Sequence, residues 1–422
     1  MTKTALKYGE ALLGFIAESP TAYQAADVIA KKLRKSGATE LFETEKWAIE
    51  AGKTYFVERN GSSLLAFTVP EGAKGFRVWA AHSDAPVFKI KENPEIQKDG
   101  GVVLNTEIYG GVMRSTWTDR PLSVAGRVIV KRGGKLVPVL VDLKEPAAVI
   151  PNLAIHMDWD FNKGKELNPQ KELPLFAMKG KNKTFMETVA EAAGVEEKEI
   201  IGHDLFLYPC EKGVIWGPEG TFLSSPRLDD QECSFGGFLG FTEASRSEHI
   251  SLFAMFDNEE VGSSTRQGAA STFLKDTIRR ISGALGDTEE EFQIRLADSF
   301  LLSADNGHAL HPNHEEKCDP TNRPVLNKGL LIKFNANQKY TTDGWTSAFV
   351  KDLCEQAKVP FQLYFNRSDV KGGSTLGNLS LVQLPFPSAD IGLPQLAMHS
   401  AYETAGTEDF AGLVKLAKAF FS

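Results

Sequence analysis

Four short apolar runs that each end in a histidine or an acid set the strongest limit on what this chain can fold into. Phe76-Arg77-Val78-Trp79-Ala80-Ala81 leads into His82-Ser83-Asp84, and Ser251 to Phe256 leads into Asp257-Asn258-Glu259-Glu260. Ser299 to Ala304 leads into Asp305, and Leu393 to Met398 into His399. Between them lie longer amphipathic stretches such as Thr21 to Lys35, Phe273 to Leu285 and Thr346 to Ala357. Buried strands alternating with helices give this pattern. The expected fold class is α/β, a mainly parallel central sheet with helices on both faces. In such sheets ligands bind outside the carboxyl ends of the strands, so the four tips are expected to meet in one crevice.

The chain has 422 residues, more than the roughly 250–300 at which a single hydrophobic core stops growing. Its texture divides accordingly. From about 95 to 220, strand-like runs and Gly-rich turns replace the helices: Val124 to Lys131 and Lys135 to Asp142 flank Arg132-Gly133-Gly134, a hairpin signal, and a short helix is expected at Phe185 to Ala193. The expected organisation is a discontinuous α/β domain over 1–93 and 222–422, interrupted by a β-rich domain over 94–221.

Charge and composition exclude several functions. With 47 Lys and Arg against 55 Asp and Glu the net charge is −8, and no dense basic stretch exists to follow a phosphate backbone or an anionic membrane surface. Nucleic acid is not an expected partner. No apolar run approaches the ~20 residues that span a bilayer. Near the start, Leu6, Leu12, Leu13, Phe15 and Ile16 are interrupted by Glu10 and followed by Glu18, the pattern of an amphipathic helix and not of a secretion signal. Cys210, Cys233, Cys318 and Cys354 are scattered with no C-x-x-C pair. That suits a reducing, cytoplasmic setting and directs any metal to imidazole and carboxylate ligands.

Those ligand types stand at the tips. His82, Glu260, Asp305 and His399, with Asp229 after Ser225-Pro226-Arg227-Leu228, are the donors a pair of divalent ions takes. Singly each has an ordinary explanation: Asp229 as a helix cap, Glu260 as a solvated loop acid, either histidine as a packed core residue. Together they do not, because burying several charges without a partner is expensive and a metal pair supplies one. Adjacent side chains leaving a strand diverge, so Glu259 can face a reacting water while Glu260 binds metal. Two residues past His82, Asp84 can orient the ligand ring. His308 lies three residues beyond Asp305 and can share its face, whereas His156, in Pro151-Asn152-Leu153-Ala154-Ile155-His156, reads by itself as structural.

Ala81-His82-Ser83-Asp84-Ala85-Pro86, Ser225-Pro226-Arg227-Leu228-Asp229, Asp257-Asn258-Glu259-Glu260-Val261-Gly262-Ser263, Ser303-Ala304-Asp305 with His308 and His311-Pro312-Asn313, and Ala397-Met398-His399-Ser400, taken in order, resemble the M18 aminopeptidases, the aspartyl aminopeptidase family. Ile108-Tyr109-Gly110-Gly111 and Asp119-Arg120-Pro121-Leu122 extend the match into the inserted region. The resemblance implies a dinuclear zinc aminopeptidase acting on peptides with a free N-terminus, with Co2+ or Mn2+ as possible substitutes. It implies a proteolytic domain interrupted by a dimerisation domain, and dimers that assemble into a tetrahedral dodecamer. His82 and Asp305 would hold one ion, Glu260 and His399 the other, Asp229 would bridge them, and Glu259 would be the general base. His156 would serve the neighbouring subunit's active site, and His308, Lys333 and Tyr340 would contact substrate. Asp230 and Val112-Met113-Arg114-Ser115 depart from the family pattern and weaken any transfer of residue preference. A basic Lys333 favours acidic N-terminal residues. An aminopeptidase for neutral or hydrophobic residues, and a metal-dependent scaffold without catalysis, stay open as alternatives.

Overall fold

The structure, a computed structural model, describes residues 2–422 except 165, 178–182, 246, 371 and 374. The chain divides into two compact units: one holds Met1–Asp84, Gly213–Met398 and Glu403–Ser422, the other Ala85–Lys212 and His399–Tyr402.

The first unit is built on a nine-stranded mixed sheet. Its centre is parallel: Ile250–Phe256, Phe76–His82, Phe300–Ala304 and Ser388–Gly392 lie side by side in that order. Side chains alternate along each strand, so one run feeds two cores. Trp79, Ala81, Phe253 and Met255 pack with the helices Lys3–Glu18, Ala22–Lys35, Leu228–Glu243 and Thr407–Phe421. Phe76, Val78, Ala80, Leu252 and Ala254 face the other way, toward Phe273–Ala284 and Glu289–Ala297. Both faces are covered, which is why the central runs are continuously apolar in sequence.

The run Leu393 to Met398 departs from expectation. The fourth parallel strand is Ser388–Gly392, and the chain then moves to a separate five-stranded sheet through Pro394–Leu396. Gly392 permits that exit, since a Cβ there would collide with the carbonyl oxygen of Asp305. Pro394, lacking an N–H, suits the start of a strand.

Helix Leu228–Glu243 crosses Phe76–His82 at very close range. A Cβ on Gly237 would overlap the indole nitrogen of Trp79, which donates to Cys233 O at 3.2 Å. Gly237→Ala is therefore expected to destabilise the protein by about 1–3 kcal/mol through overpacking. A lower urea midpoint with unchanged slope would register it, and a midpoint equal to wild type would show that this crossing tolerates a methyl group.

In the second unit Ile200–Pro209, Val87–Lys98, Gly101–Tyr109, Leu175–Phe176, Ala148–Val149 and Leu122–Arg132 close into a six-stranded barrel, the last strand pairing back with the first. Lys135–Asp142 joins as a hairpin arm, with Gly133 (φ 56°) and Gly134 (φ 77°) supplying the left-handed pair its two-residue turn requires. The helix Phe185–Ala193 forms with a capping box at Thr184. The unit begins at Ala85 and not at 94, because the whole of Val87–Lys98 belongs to the barrel. It ends at Lys212 and not at 221, because Val214–Trp216 and Phe222–Ser225 pair into the five-stranded sheet beside Glu403–Gly406.

Candidate metal centre

Three parallel strands of the first unit end at the same edge, and their tips carry the chemistry. His82 closes Phe76–His82, Asp305 follows Phe300–Ala304, and the short turn Glu259–Val261 follows Ile250–Phe256. Asn258 initiates that turn with φ 64°, and its side-chain oxygen accepts from Thr265 and Gln267. Asp229 comes from the non-helical first turn of Leu228–Glu243 (φ −80°, ψ 110°), and the Asp229–Asp230 peptide is cis.

His82 is the hub and is 1 % exposed. Its Nδ1 donates to Asp84 O at 3.1 Å and lies 3.3 Å from Asp84 Oδ1, which leaves Nε2 as the lone-pair nitrogen. Around Nε2 stand Asp229 Oδ1 at 3.8 Å, Asp305 Oδ1 at 3.9 Å and Glu259 Oε2 at 4.0 Å. These separations are too long for hydrogen bonds. Zinc bonded at about 2.0–2.2 Å to tetrahedral ligands keeps their donor atoms about 3.4 Å apart, close to this spacing. Donor atoms of His82, Asp229 and Asp305 all lie within 4.8 Å of one another, as do those of His82, Glu259 and Glu260. The residues fit the metal chemistry read from the sequence.

Asp84 does more than orient an imidazole. Its Oδ1 accepts the amide of Glu259 at 3.1 Å and its Oδ2 the amide of Glu260 at 3.2 Å. One buried carboxylate thus fixes the His82 ring and the backbone of both glutamates. Asp230, a departure from the family pattern, also has a place here, since its Oδ2 accepts the His82 amide at 3.1 Å.

So many acids in one place strain each other's ionisation. Burial, reinforced by Asp305, Asp84 and Asp229 and opposed by His82, pushes the Glu259 carboxyl up to about 8. Burial and the charge of Asp229 hold Glu260 well above the usual carboxylate range. Burial raises Asp305 as well, with Lys333 opposing. Burial disfavours a charged His82, yet the Asp84 hydrogen bond and the charges of Asp230 and Glu259 outweigh it and hold the imidazole well above its ordinary value. A divalent cation would relieve this repulsion while displacing the protons.

The other predicted residues divide. Lys333 is buried, with its ammonium donating to Asp305 O at 2.8 Å and Asn306 O at 3.0 Å and lying 3.5 Å from Asp305 Oδ2. Tyr340 covers it, its ring centre 4.9 Å from the nitrogen. His308 is exposed at the end of Gly307–His308, edge-on to Tyr364, and lines a cavity of about 480 Å3 with His311, Lys317 and Arg367. In the barrel unit, His399 (φ 66°) directs Nδ1 to Gly111 O at 3.1 Å, and a Cβ on Gly111 would approach that nitrogen to 2.9 Å. The Tyr109-Gly110-Gly111 motif therefore packs directly on a predicted ligand. His156 is exposed in the turn Ile155–Met157, with its ring edge-on to Trp159.

Behind the candidate ligands lies a polar layer that no local sequence pattern announces. Asn306 Nδ2 donates to Gln395 Oε1 at 2.8 Å, to Glu232 Oε2 at 3.1 Å and to Leu228 O at 3.3 Å. Gln395 Nε2 lies 3.4 Å from Glu403 Oε1, and Glu403 Oε2 accepts the Asp229 amide at 3.1 Å.

Imidazole and carboxylates gathered at the strand ends of a doubly covered sheet define a metallohydrolase-type centre, and comparison with known proteins agrees. The family model described as Aminopeptidase I zinc metalloprotease (M18) matches residues 15–421. A probable M18 family aminopeptidase 2 from Clostridium novyi is 47% identical over 431 residues, covering 100% of both chains. The protein of that name from Clostridium acetobutylicum is 43% identical over the same span, again with 100% coverage of both. Among solved structures, a chain of the Ape4 and Nbr1 complex superposes with a TM-score of 0.96 at 33% identity, covering 99% of this chain and 86% of that one. The S. cerevisiae mApe1 dodecamer superposes at 0.86 with 28% identity, covering 98% and 96%. This chain belongs to the M18 aminopeptidases, a family of zinc metallopeptidase hydrolases. Among the described residues, no helix is long and apolar enough to cross a membrane.

Proposed function

We propose that this protein is a dinuclear zinc aminopeptidase that removes the first residue from peptides with a free N-terminus, acidic residues by preference. The observation that carries the reading is the grip of Asp84 on the neighbouring amides of Glu259 and Glu260. A structural metal site has no use for a second carboxylate held so firmly beside the first. His82, Asp229, Glu260, Asp305 and His399 are the residues that would hold the two ions, as the family resemblance implies. When bound, the ions polarise the scissile carbonyl and lower the pKa of water, with cobalt or manganese able to stand in for zinc.

The chain's own groups do the rest. Glu259 accepts a proton at its carboxylate as water adds to the carbonyl, then passes it to the leaving amine. Asp84 keeps His82 in the tautomer that presents Nε2. The acidic preference draws on His308 and Lys317 in the cavity lining, where Asp319 also stands and Arg367 is already paired with Asp369. Lys333 is not free to meet a substrate: its buried ammonium, covered by Tyr340, braces the Asp305 tip from within through the Asp305 and Asn306 carbonyls.

The barrel unit is assigned to dimerisation, and the assembly to a dodecamer, the state named for S. cerevisiae mApe1, with tetrahedral symmetry as this proposal's own expectation. Leu153, Met157 and Trp159 lie exposed around His156, an apolar margin suited to a partner subunit. In that arrangement His156 stabilises the oxyanion of the neighbouring site. His156→Ala is expected to lower turnover by about 10²–10³-fold, the range for losing one oxyanion donor, while particle mass by light scattering stays unchanged. Mixed particles of His156→Ala and Glu259→Gln subunits should regain activity, and mixtures as inert as their parents would place the histidine in its own subunit or nowhere. The four free cysteines accord with a cytoplasmic setting.

The direct test is amino-acid release from free and N-acetylated peptides beginning with Asp, Glu, Leu or Lys, before and after chelation. Chelator-sensitive release from free N-termini alone supports the reading. Metal uptake without cleavage of any peptide would favour a scaffold.

A further inference from the structure

We propose that Asn306, Gln395 and Glu403 form a buried positioning array that fixes the ligand carboxylates Asp229 and Asp305 relative to each other. The inference rests on the reading of those carboxylates as metal ligands and goes beyond it, because none of the three side chains is itself a ligand.

The need for such a device follows from where the two aspartates sit. Asp305 leaves a parallel strand, whereas Asp229 occupies a turn whose backbone is not yet helical. Helix hydrogen bonding does not hold the Asp229 amide; Glu403 accepts it. The path from one ligand to the other is continuous: Asn306, next in chain after Asp305, donates to Gln395, Gln395 donates to Glu403, and Glu403 receives Asp229. Strand register puts the array where it is needed, with Glu403 opposite Ser225 on the segment that enters the Asp229 turn, and Gln395 opposite His308 just beyond Asn306.

The array has a single polarity. Asn306 Oδ1 accepts the Leu393 amide at 3.1 Å and the Cys233 thiol at 3.2 Å, so its NH2 must face Gln395. Gln395 then presents oxygen to Asn306 and nitrogen to Glu403, whose carboxylate ends the chain as an acceptor at both oxygens. Asn306, Gln395 and Glu403 are 3%, 1% and 2% exposed. Packing alone would favour apolar side chains here, since buried polar groups gain little net stability over well-packed hydrocarbon. What a one-way chain of hydrogen bonds adds is orientation, and orientation is what two ligands on unrelated elements require.

The test uses the full-length protein carrying Gln395→Met, which fills the space and cuts both links while leaving every ligand in place. Zinc affinity, measured by competition with a chromophoric chelator, is expected to fall about 10–100-fold. The visible absorption of the Co2+-substituted protein should shift, and kcat should fall with little change in KM. Asp287→Asn is the control: it removes the bidentate pair that Arg295 makes at 2.7 and 2.9 Å, remote from the ligands, and should cost thermal stability without altering zinc affinity or the Co2+ spectrum. A folded Gln395→Met protein with wild-type zinc affinity and an unshifted spectrum would overturn the proposal. If that variant does not fold, Glu403→Asp, which draws the acceptor back from the Asp229 amide, is expected to weaken zinc similarly, and unchanged affinity there would be equally fatal. Wild-type protein that binds metal but cleaves no peptide would sink the aminopeptidase reading and leave the array standing. Wild-type protein that takes up no metal would remove both.

Discussion

Glu259→Gln protein is expected to fold, assemble and bind metal as wild type does, and to turn over peptides about 10²–10⁴-fold more slowly, the usual worth of a general base. The substitution is nearly isosteric, and the Asp84 contact at this position is made through the backbone amide of residue 259 and not through its side chain. What is lost is the capacity to take a proton. Metal analysis of the purified variant alongside single-turnover kinetics checks both halves. Full turnover would remove Glu259 from catalysis. A drop in metal content in step with activity would show instead that Glu259 is a ligand, as its 4.0 Å approach to His82 Nε2 would permit.

Chelation is the second large effect. Stripped protein should lose at least three orders of magnitude in peptide release and recover it with zinc. It should also become less stable as pH rises, in a direction the acid cluster fixes. Glu259 ionises near 4.5 when unfolded and near 8 in the folded, metal-free chain. Its folded pKa is raised, so its contribution to stability is complete below about pH 4.5 and lost progressively up to about pH 8. His82, raised from 6.5, acts in the same sense. Thermal melts of chelated protein at pH 5.5 and 8 should therefore differ in favour of the lower pH. Zinc should restore more stability at pH 8, where the carboxylates no longer hold protons against it. A chelated protein that melts higher at pH 8 would contradict the crowding of charge described here.

The sheet centre and three of its polar tips are legible because a strand covered on both faces must be apolar throughout, which turns each following His or acid into a visible break. His82, Glu259, Glu260 and Asp305 stand where that logic puts them. The same logic misled at Leu393 to Met398, where one apolar stretch spans the change between two sheets and only Gly392 and Pro394 mark it. The barrel's first strand was assigned too late, because alternation such as Val87-Phe88-Lys89-Ile90 carries no label saying which sheet it will join. Glu403, Gln395 and Asn306 do not stand out in sequence, since, apart from the Gln395–Glu403 contact, their partners lie between 73 and 174 residues away and each residue alone looks like a surface polar group. Lys333 is expected from the family resemblance as a substrate contact; its bonds to the Asp305 and Asn306 carbonyls depend instead on a strand pairing, Lys333 opposite Asp390, that no local pattern encodes.

The two amides gathered by Asp84 have a consequence for how this centre can be altered. Glu259 and Glu260, proposed above as proton acceptor and metal ligand, share a single fulcrum, so a shift of the turn that carries them moves both together and cannot adjust one against the other. Independent adjustment is left to side-chain length. Shortening Glu259 by a methylene retracts the acceptor alone, while any change that reshapes the Asn258 to Val261 turn resets the whole centre at once.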